Sequence, residues 1–332
     1  MAEDLKSPAF AATGIAPENE TTPPGGDDST RTGTSSPMER ERRSASAAAK
    51  RALTGRFGSF VAILIAVLWT IPTFGLFVTS FRPEAQIKSS GWWSFFANPD
   101  FTLDNYRTVL YGAKSQGDLA SYFMNSLVIT IPATVAPLLI ATMAAYAFSV
   151  LKWRGRDTVF VFVFALQIVP LQMALIPLLR LFSGTTVAQW FPFMSIWVAH
   201  TIFALPLAIF LLHNFMAEVP RELVEAAQVD GAGHVTTFVR LMLPLMVPAI
   251  ASFAIFQFLW VWNDLLVGLT FSGGQDLTQP LTARLASMAG SRGQDWHLLT
   301  AGAFVSMVIP LVVFMTLQRY FVRGLMAGSV KG

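Results

Sequence analysis

Apolar residues along this chain neither alternate nor keep to one helical face. They come in six nearly unbroken runs, Phe57 to Ser80, Leu127 to Phe148, Val159 to Leu179, Phe191 to Phe215, Leu245 to Phe271 and Leu298 to Gln318, separated by more polar stretches of 10 to 46 residues. Each run has about 20 residues or more, the length a helix needs to cross a hydrocarbon core of ~30 Å. The pattern predicts an all-α integral membrane protein with six transmembrane helices. Every run carries proline (Pro72, Pro132 and Pro137, Pro170 and Pro177, Pro192 and Pro206, Pro248, Pro310). Proline removes a backbone donor and kinks a helix, a defect that neighbouring helices compensate inside a bundle.

Before the first run the pattern vanishes. Residues 1–52 are rich in Ser, Thr, Pro, Gly and Ala without apolar periodicity, which predicts a disordered cytoplasmic tail. Within it, Met38 to Arg51 places clustered Arg before an Ala run, a composition suited to a helix on anionic lipid or to a solvated segment that sets orientation. Residues 53–332 are read as the membrane domain. Its first external loop, Phe81 to Met124, holds Trp92, Trp93, Phe95, Phe96, Phe101 and Tyr106 among turn residues, fitting an aromatic cap at the lipid interface or a contact with an external partner.

Charge fixes the expected orientation. Of the 23 Lys and Arg, 16 fall on one side of the alternating spans, the side of both termini, and 7 on the other. Positive residues in short flanking loops stay inside, so both termini are expected in the cytoplasm. The sequence pI of about 9.3 is then a matter of topology, with no nucleic-acid partner implied. Cysteine is absent, which removes disulfides, thiolate nucleophiles and cysteine metal sites.

The charges inside the spans limit the energy source. Asp264 is the only formally charged residue there, joined by His200 and His213 as titratable groups. Carriers driven by protons or ions use buried carboxylates or His chains as relays, and one Asp near a span end makes a poor relay. A self-sufficient secondary carrier of small polar solutes is therefore the disfavoured alternative. ATP cannot be bound in the usual phosphate loop either, because no lysine follows a glycine. The four histidines show no metal-ligand spacing, and neither HExxH nor GxSxG occurs, so an intramembrane hydrolase lacks its groups.

One long loop, 216–244, lies between spans on the expected cytoplasmic side and reads AEVPRELVEAAQVDGAGHVTTFVRLMLP from Ala217. Pro220 suits a first helical turn, and Glu222 and Glu225 lie toward the positive end of the helix dipole. Leu223, Ala226 and Ala227 share a face, and the two alanines let another surface approach closely. Gly231 and Gly233 break the helix. Val235, Phe238, Val239 and Met242 restart an amphipathic pattern that Pro244 leads into the next span, giving a helix-turn-helix module below the bilayer.

The spacing Glu225-Ala226-Ala227, three residues, Gly231, nine residues, Leu241, one residue, Leu243-Pro244 resembles the EAA loop of permease subunits in binding-protein-dependent ABC importers; the family usually has Ile where Leu241 stands. Asn125-Ser126-Leu127, Ala144 to Phe148 with Arg154-Gly155-Arg156, Trp262-Asn263-Asp264 and Gln318 to Gly324 resemble the carbohydrate-uptake branch and its MalG-like members. The stretches Gly293 to Thr300 and Ala327 to Gly332 are most similar to alpha-glucoside permeases.

The resemblance implies a type I importer permease fold in a bacterial inner membrane and a subunit with no catalysis and no cofactor of its own. ATP and Mg would belong to a partner ATPase homodimer. Further partners would be a second, different permease, an extracytoplasmic sugar-binding protein and the lipid bilayer. In such importers the helix of the Glu225-type residue sits in a cleft on the ATPase. Carried onto this chain, Glu225 would meet a basic or polar group there, Ala226 and Ala227 would permit close docking, and Gly231 would make the turn, with Leu241 and Pro244 completing the motif. The tail, with Gly324, Gly328 and Lys331, would reach between the ATPases.

The fifth span carries candidate residues for a sugar path. Phe253, Phe256, Gln257, Trp260 and Asp264 fall at steps of three and four, so aromatic and hydrogen-bonding groups would share one face, with Asn263 beside them. Packing or interfacial anchoring is the other role such residues take.

Overall fold

The computed structural model describes residues 37–112, 118–183, 191–273, 275–289 and 295–327. Its helices are α1 (Pro37–Ser80), α2 (Glu84–Ser89), α3 (Asp104–Tyr111), α4 (Leu119–Ser149), α5 (Arg156–Ala165), α6 (Leu171–Phe182) and α7 (Met194–Ala217). They continue as α8 (Arg221–Val229), α9 (His234–Trp262), α10 (Leu266–Ser272), α11 (Leu281–Ala289) and α12 (Trp296–Ala327). No strand occurs among the described residues. Two compact units divide within α1, at Ala66 and Val67. The described part of the first unit is the beginning of α1, which starts at Pro37, inside the segment read from sequence as tail.

Five helices are long and apolar enough to cross a membrane, and the pair of Arg156–Ile168 and Leu171–Phe182, bent by 101°, makes a sixth crossing if counted as one span. The third span is thus broken, where an uninterrupted Val159 to Leu179 was expected. The fifth differs too. Its helix begins at His234, absorbing the second helix of the expected cytoplasmic module, and ends at Trp262 rather than Phe271. The junction is a π-helical turn over Thr237–Met242, immediately ahead of Pro244, whose missing N–H disturbs the regular ladder at that point. The last helix runs past Gln318 to Ala327, so Gly324 is helical, whereas Gly328 and Lys331 lie outside the described residues.

Within the second unit the core forms around α4 and α7. Ala133, Ala141 and Ala145 on α4, with Ala199 and Ala208 on α7, are fully buried and bring the two backbones close. Small residues serve this way in membranes, where lipid is as apolar as the core and helix association depends on close contact. One apolar cluster joins α4, α7 and α9 through Tyr146, Phe148, Leu212, Met216, Met242 and Met246. Another, at the far end, gathers Val109, Leu119, Trp262, Leu281, Leu298 and Ala301.

The aromatic loop after α1 folds into an ordered cap. Arg82, 1% exposed, donates from Nη2 to Ser90 Oγ at 2.7 Å, Ser94 Oγ at 2.9 Å and Gln86 O at 3.2 Å. Asn105 Nδ2 donates to Ser80 O and Arg82 O, both at 2.9 Å, tying α3 to the end of α1. Trp92 lies against Gly75 so closely that a Cβ there would meet its Nε1 at 2.7 Å, while Trp93, Phe96 and Phe101 stay exposed.

Candidate coupling surface and permeation cavity

Helix α8 is short, and its ends are set by identifiable residues. Pro220 precedes it with φ −55° and ψ 131°, extended geometry that starts the helix at Arg221. At the other end Ala232 N donates to Ala227 O at 2.9 Å and Gly231 N to Gln228 O at 3.0 Å, with Gly231 at φ +82°. This is a Schellman closure, in which the left-handed residue is glycine because it carries no Cβ penalty. It gives the final carbonyls of α8 partners and turns the chain back toward the bundle.

The same helix is pinned by one face and open on the others. Val224 is half-buried against the α4, α7 and α9 cluster, together with Phe238 and Leu241. Glu225 and Ala226 are exposed, and Leu223 is 44% exposed. Ala227 is half-buried, turned further inward than Leu223 and Ala226, with which sequence spacing grouped it. Tyr146 Oη lies 3.3 Å from both the carbonyl oxygen and Nδ1 of His234, and its ring meets Phe238 edge-on at 5.1 Å. The start of α9 is therefore held to α4, and Pro244 follows on an exposed surface.

Beside α8 opens a cavity of about 730 Å³, lined among others by Lys152, Arg156, Asp157, Arg221, Glu225 and Gln228. From sequence, Lys152 counted only toward orientation and Arg156 toward orientation and the family resemblance, and neither was expected beside Glu225. Their loop, which turns at Gly155 with φ +84°, brings them to the groove beside Glu225. Only the tertiary fold supplies that proximity, because about 70 residues separate the two segments.

The residues expected along a sugar path divide into two groups. Gln257 is 1% exposed and donates from Nε2 to Ala133 O at 3.2 Å. Trp260 meets the buried His200 edge-on, with ring centroids 6.0 Å apart. Both line a cavity of about 240 Å³ with Gln167, Phe203, Phe253 and Phe256. Asn263 and Asp264 are not among its lining residues. Because α9 ends at Trp262, Asp264 does not share a helical face with Trp260; its carboxylate accepts from Gly268 N at 2.8 Å and Val267 N at 3.3 Å, capping α10. His200 Nε2 stands 3.8 Å from the same carboxylate. Asn263 is exposed and donates to Leu259 O at 2.8 Å.

The capped break is tightly fitted. A Cβ on Gly268 would fall 2.6 Å from Pro280 Cγ, in a ring that cannot rotate away. Gly268→Ala is expected to cost about 1–3 kcal/mol through overpacking. A lower melting temperature of the purified protein in detergent checks this.

The bundle thus has one span broken at Pro170 and an anchored, largely exposed short helix, α8, between its fourth and fifth spans. The chain belongs to the family of binding-protein-dependent transport system inner membrane components, matched over residues 138–326. It is thus a permease component of an ABC importer, in the bacterial inner membrane. It is 52% identical over 276 residues, 82% of this chain and 91% of the relative, to the osmoprotective compounds uptake permease protein GgtD of Synechocystis. It is 54% identical over 239 residues to the alpha-glucoside transport system permease protein AglG of Rhizobium meliloti, a match taking in 70% of this chain and 61% of that relative. A subunit of a bacterial ABC transporter for the acidic polysaccharide alginate shares the fold, with a TM-score of 0.62 at 18% identity over 82% of this chain and 98% of that one.

Proposed function

We propose that this chain is one permease half of an importer for a neutral di- or oligosaccharide of the alpha-glucoside class, worked by a pair of ATPases that grip α8. The observation that carries the reading is the presentation of α8: anchored through Val224, closed at Gly231, and exposed at Glu225 and Ala226. A rigid lever held to three spans passes movement of a docked partner into the bundle. Glu225 contacts the ATPase cleft, Ala226 and Ala227 allow close approach, and Leu241 and Pro244 transmit the shift into α9. The tail from Gly324 through Gly328 and Lys331 reaches between the ATPases as a second contact.

ATP and Mg are held by those ATPases. A different second permease completes the passage, and an extracytoplasmic sugar-binding protein delivers the substrate. The sugar class is supported by the 54% identical relative named for alpha-glucoside transport, whereas the 52% identical relative is named for osmoprotective compounds.

The test is reconstitution in vesicles of the chain with its co-purifying ATPase, second permease and binding protein, supplied with radiolabelled maltose and sucrose. Uptake is expected only with ATP and binding protein together. Uptake by this chain alone under a proton or ion gradient would establish the secondary carrier instead.

A further inference from the structure

The third span breaks where lipid cannot cover it. Leu166–Ile168 form a 3-10 turn, Val169 is extended, and Pro170 starts α6 in a new direction. The leading N–H groups of α6 lack intrahelical acceptors, as at any helix start. Ile168 is 82% exposed and Val169 53%. Gln167 is 11 residues from the start of α5 at Arg156, about 17 Å at 1.5 Å per residue, roughly the middle of the bilayer. Irregular backbone at that depth survives only against protein or along a water-filled cavity.

The cavity of about 240 Å³ lies at this break. Its floor is preset, since Gln257 is fixed by its bond to Ala133 O, Trp260 is held edge-on by His200, and Phe253 is 4% exposed. Its rim is open, because Gln167 is exposed and Phe256 is 48% exposed. Among the described residues, no charged side chain lines it. Aromatic walls with two amide groups suit a small uncharged polyol, whose ring C–H groups lie on the aromatics while its hydroxyls take the amides. A carboxylated sugar would bury an unpaired charge there. The volume lies below the ~300–1,000 Å³ of pockets for drug-sized ligands, so it holds one ring and not a chain.

We propose that this cavity is a sugar subsite belonging to this chain itself, which takes one ring of a neutral sugar between Trp260 and Phe256, with Gln167 and Gln257 as hydrogen-bonding groups. The proposal rests on the importer reading and adds to it that the second permease does not supply all the sugar contacts. It also gives the break at Gln167 its surroundings, an aqueous passage shared with the partner.

Because the chain has no cysteine, Gln167→Cys introduces a single thiol into it, and Phe256→Cys provides a second variant should the first fail to assemble. In the reconstituted complex, the charged reagent methanethiosulfonate ethyltrimethylammonium is expected to label the thiol, followed by mass spectrometry on this chain. Turnover of maltose or sucrose should slow labelling at least threefold. Adding Trp260→Ala should abolish that protection while labelling persists, and Trp260→Phe should retain it. A thiol that never labels, or labels equally fast with and without sugar, overturns the subsite. If the unsubstituted complex imports neither sugar, the importer reading for this class falls and the subsite with it; uptake with unprotected labelling overturns the subsite alone.

Discussion

Glu225→Lys is expected to lower ATP-driven sugar uptake at least tenfold while leaving the protein in the membrane at wild-type levels. The side chain is exposed on α8, so the bundle loses little by the exchange. Its surroundings, however, already hold Lys152, Arg156 and Arg221, and a lysine would turn a groove of mixed sign into one dominated by cations. If Glu225 meets a basic or polar group in the ATPase, reversal replaces attraction with repulsion in a desolvated contact. Truncating one member of a buried charge pair at an interface costs about 2–5 kcal/mol, and reversal costs at least as much. The readouts are uptake per assembled complex and the amount of ATPase that co-purifies. Glu225→Asp and Glu225→Gln should fall between the two extremes, since each keeps part of the contact. Wild-type uptake by Glu225→Lys would remove α8 as the docking element.

What made this helix readable before any coordinates was the conjunction of independent local rules. Pro220 marks a start, Gly231 a stop, and the apolar spacing of Val235, Phe238, Val239 and Met242 a resumption. The family spacing lies over these signals. The inward anchor was less readable. Val224 sits between Leu223 and Glu225 on a nine-residue helix, and which side faces the bundle depends on where Tyr146 and His234 bring the chain, a long-range matter.

The third and fifth spans were read too simply for a related reason. Hydropathy reports whether residues prefer lipid, not whether the axis they follow is straight. Val159 to Leu179 is apolar on both sides of Pro170, so a break of 101° leaves no trace in the profile. In the fifth span the apolar run continues through Trp262 to Phe271, yet the helix stops at Trp262 because the Asp264 carboxylate captures the N–H groups of Val267 and Gly268. An Asp ahead of an apolar segment is an ordinary helix-start signal. Inside a hydrophobic run it reads equally well as a polar group facing a passage, and the geometry assigns it to the cap.

The burial of the spans adds a constraint on the assembled transporter. Half of the most apolar window of α7 is buried, compared with 39% for α4, 28% for α9 and 22% for α12. The central helix is therefore enclosed by its own chain, whereas α9 and α12 keep most of their surface for lipid or a partner. The cavity near Trp260 is open at its Gln167 and Phe256 rim, so a partner placed against that part of α9 would cover it.

Replacement of Gly231 should separate backbone geometry from space in the coupling element. A Cβ at Gly231 would meet nothing within 4 Å, so bulk is no obstacle, and φ +82° is the whole demand. Alanine can occupy the left-handed region at a cost of about 1–2 kcal/mol, and asparagine visits it more readily. Proline cannot, because its ring holds φ near −65°, and it also removes the N–H that closes on Gln228 O. Gly231→Asn should therefore couple ATP hydrolysis to uptake almost as the parent does, and Gly231→Ala somewhat less well. Gly231→Pro should lose at least nine-tenths of uptake, with membrane insertion unchanged because the spans themselves are untouched. Binding-protein-stimulated ATP hydrolysis in vesicles, measured beside uptake, distinguishes lost coupling from lost assembly. The order asparagine, alanine, proline is what a Schellman closure demands; proline performing as well as glycine would mean that the end of α8 carries no force.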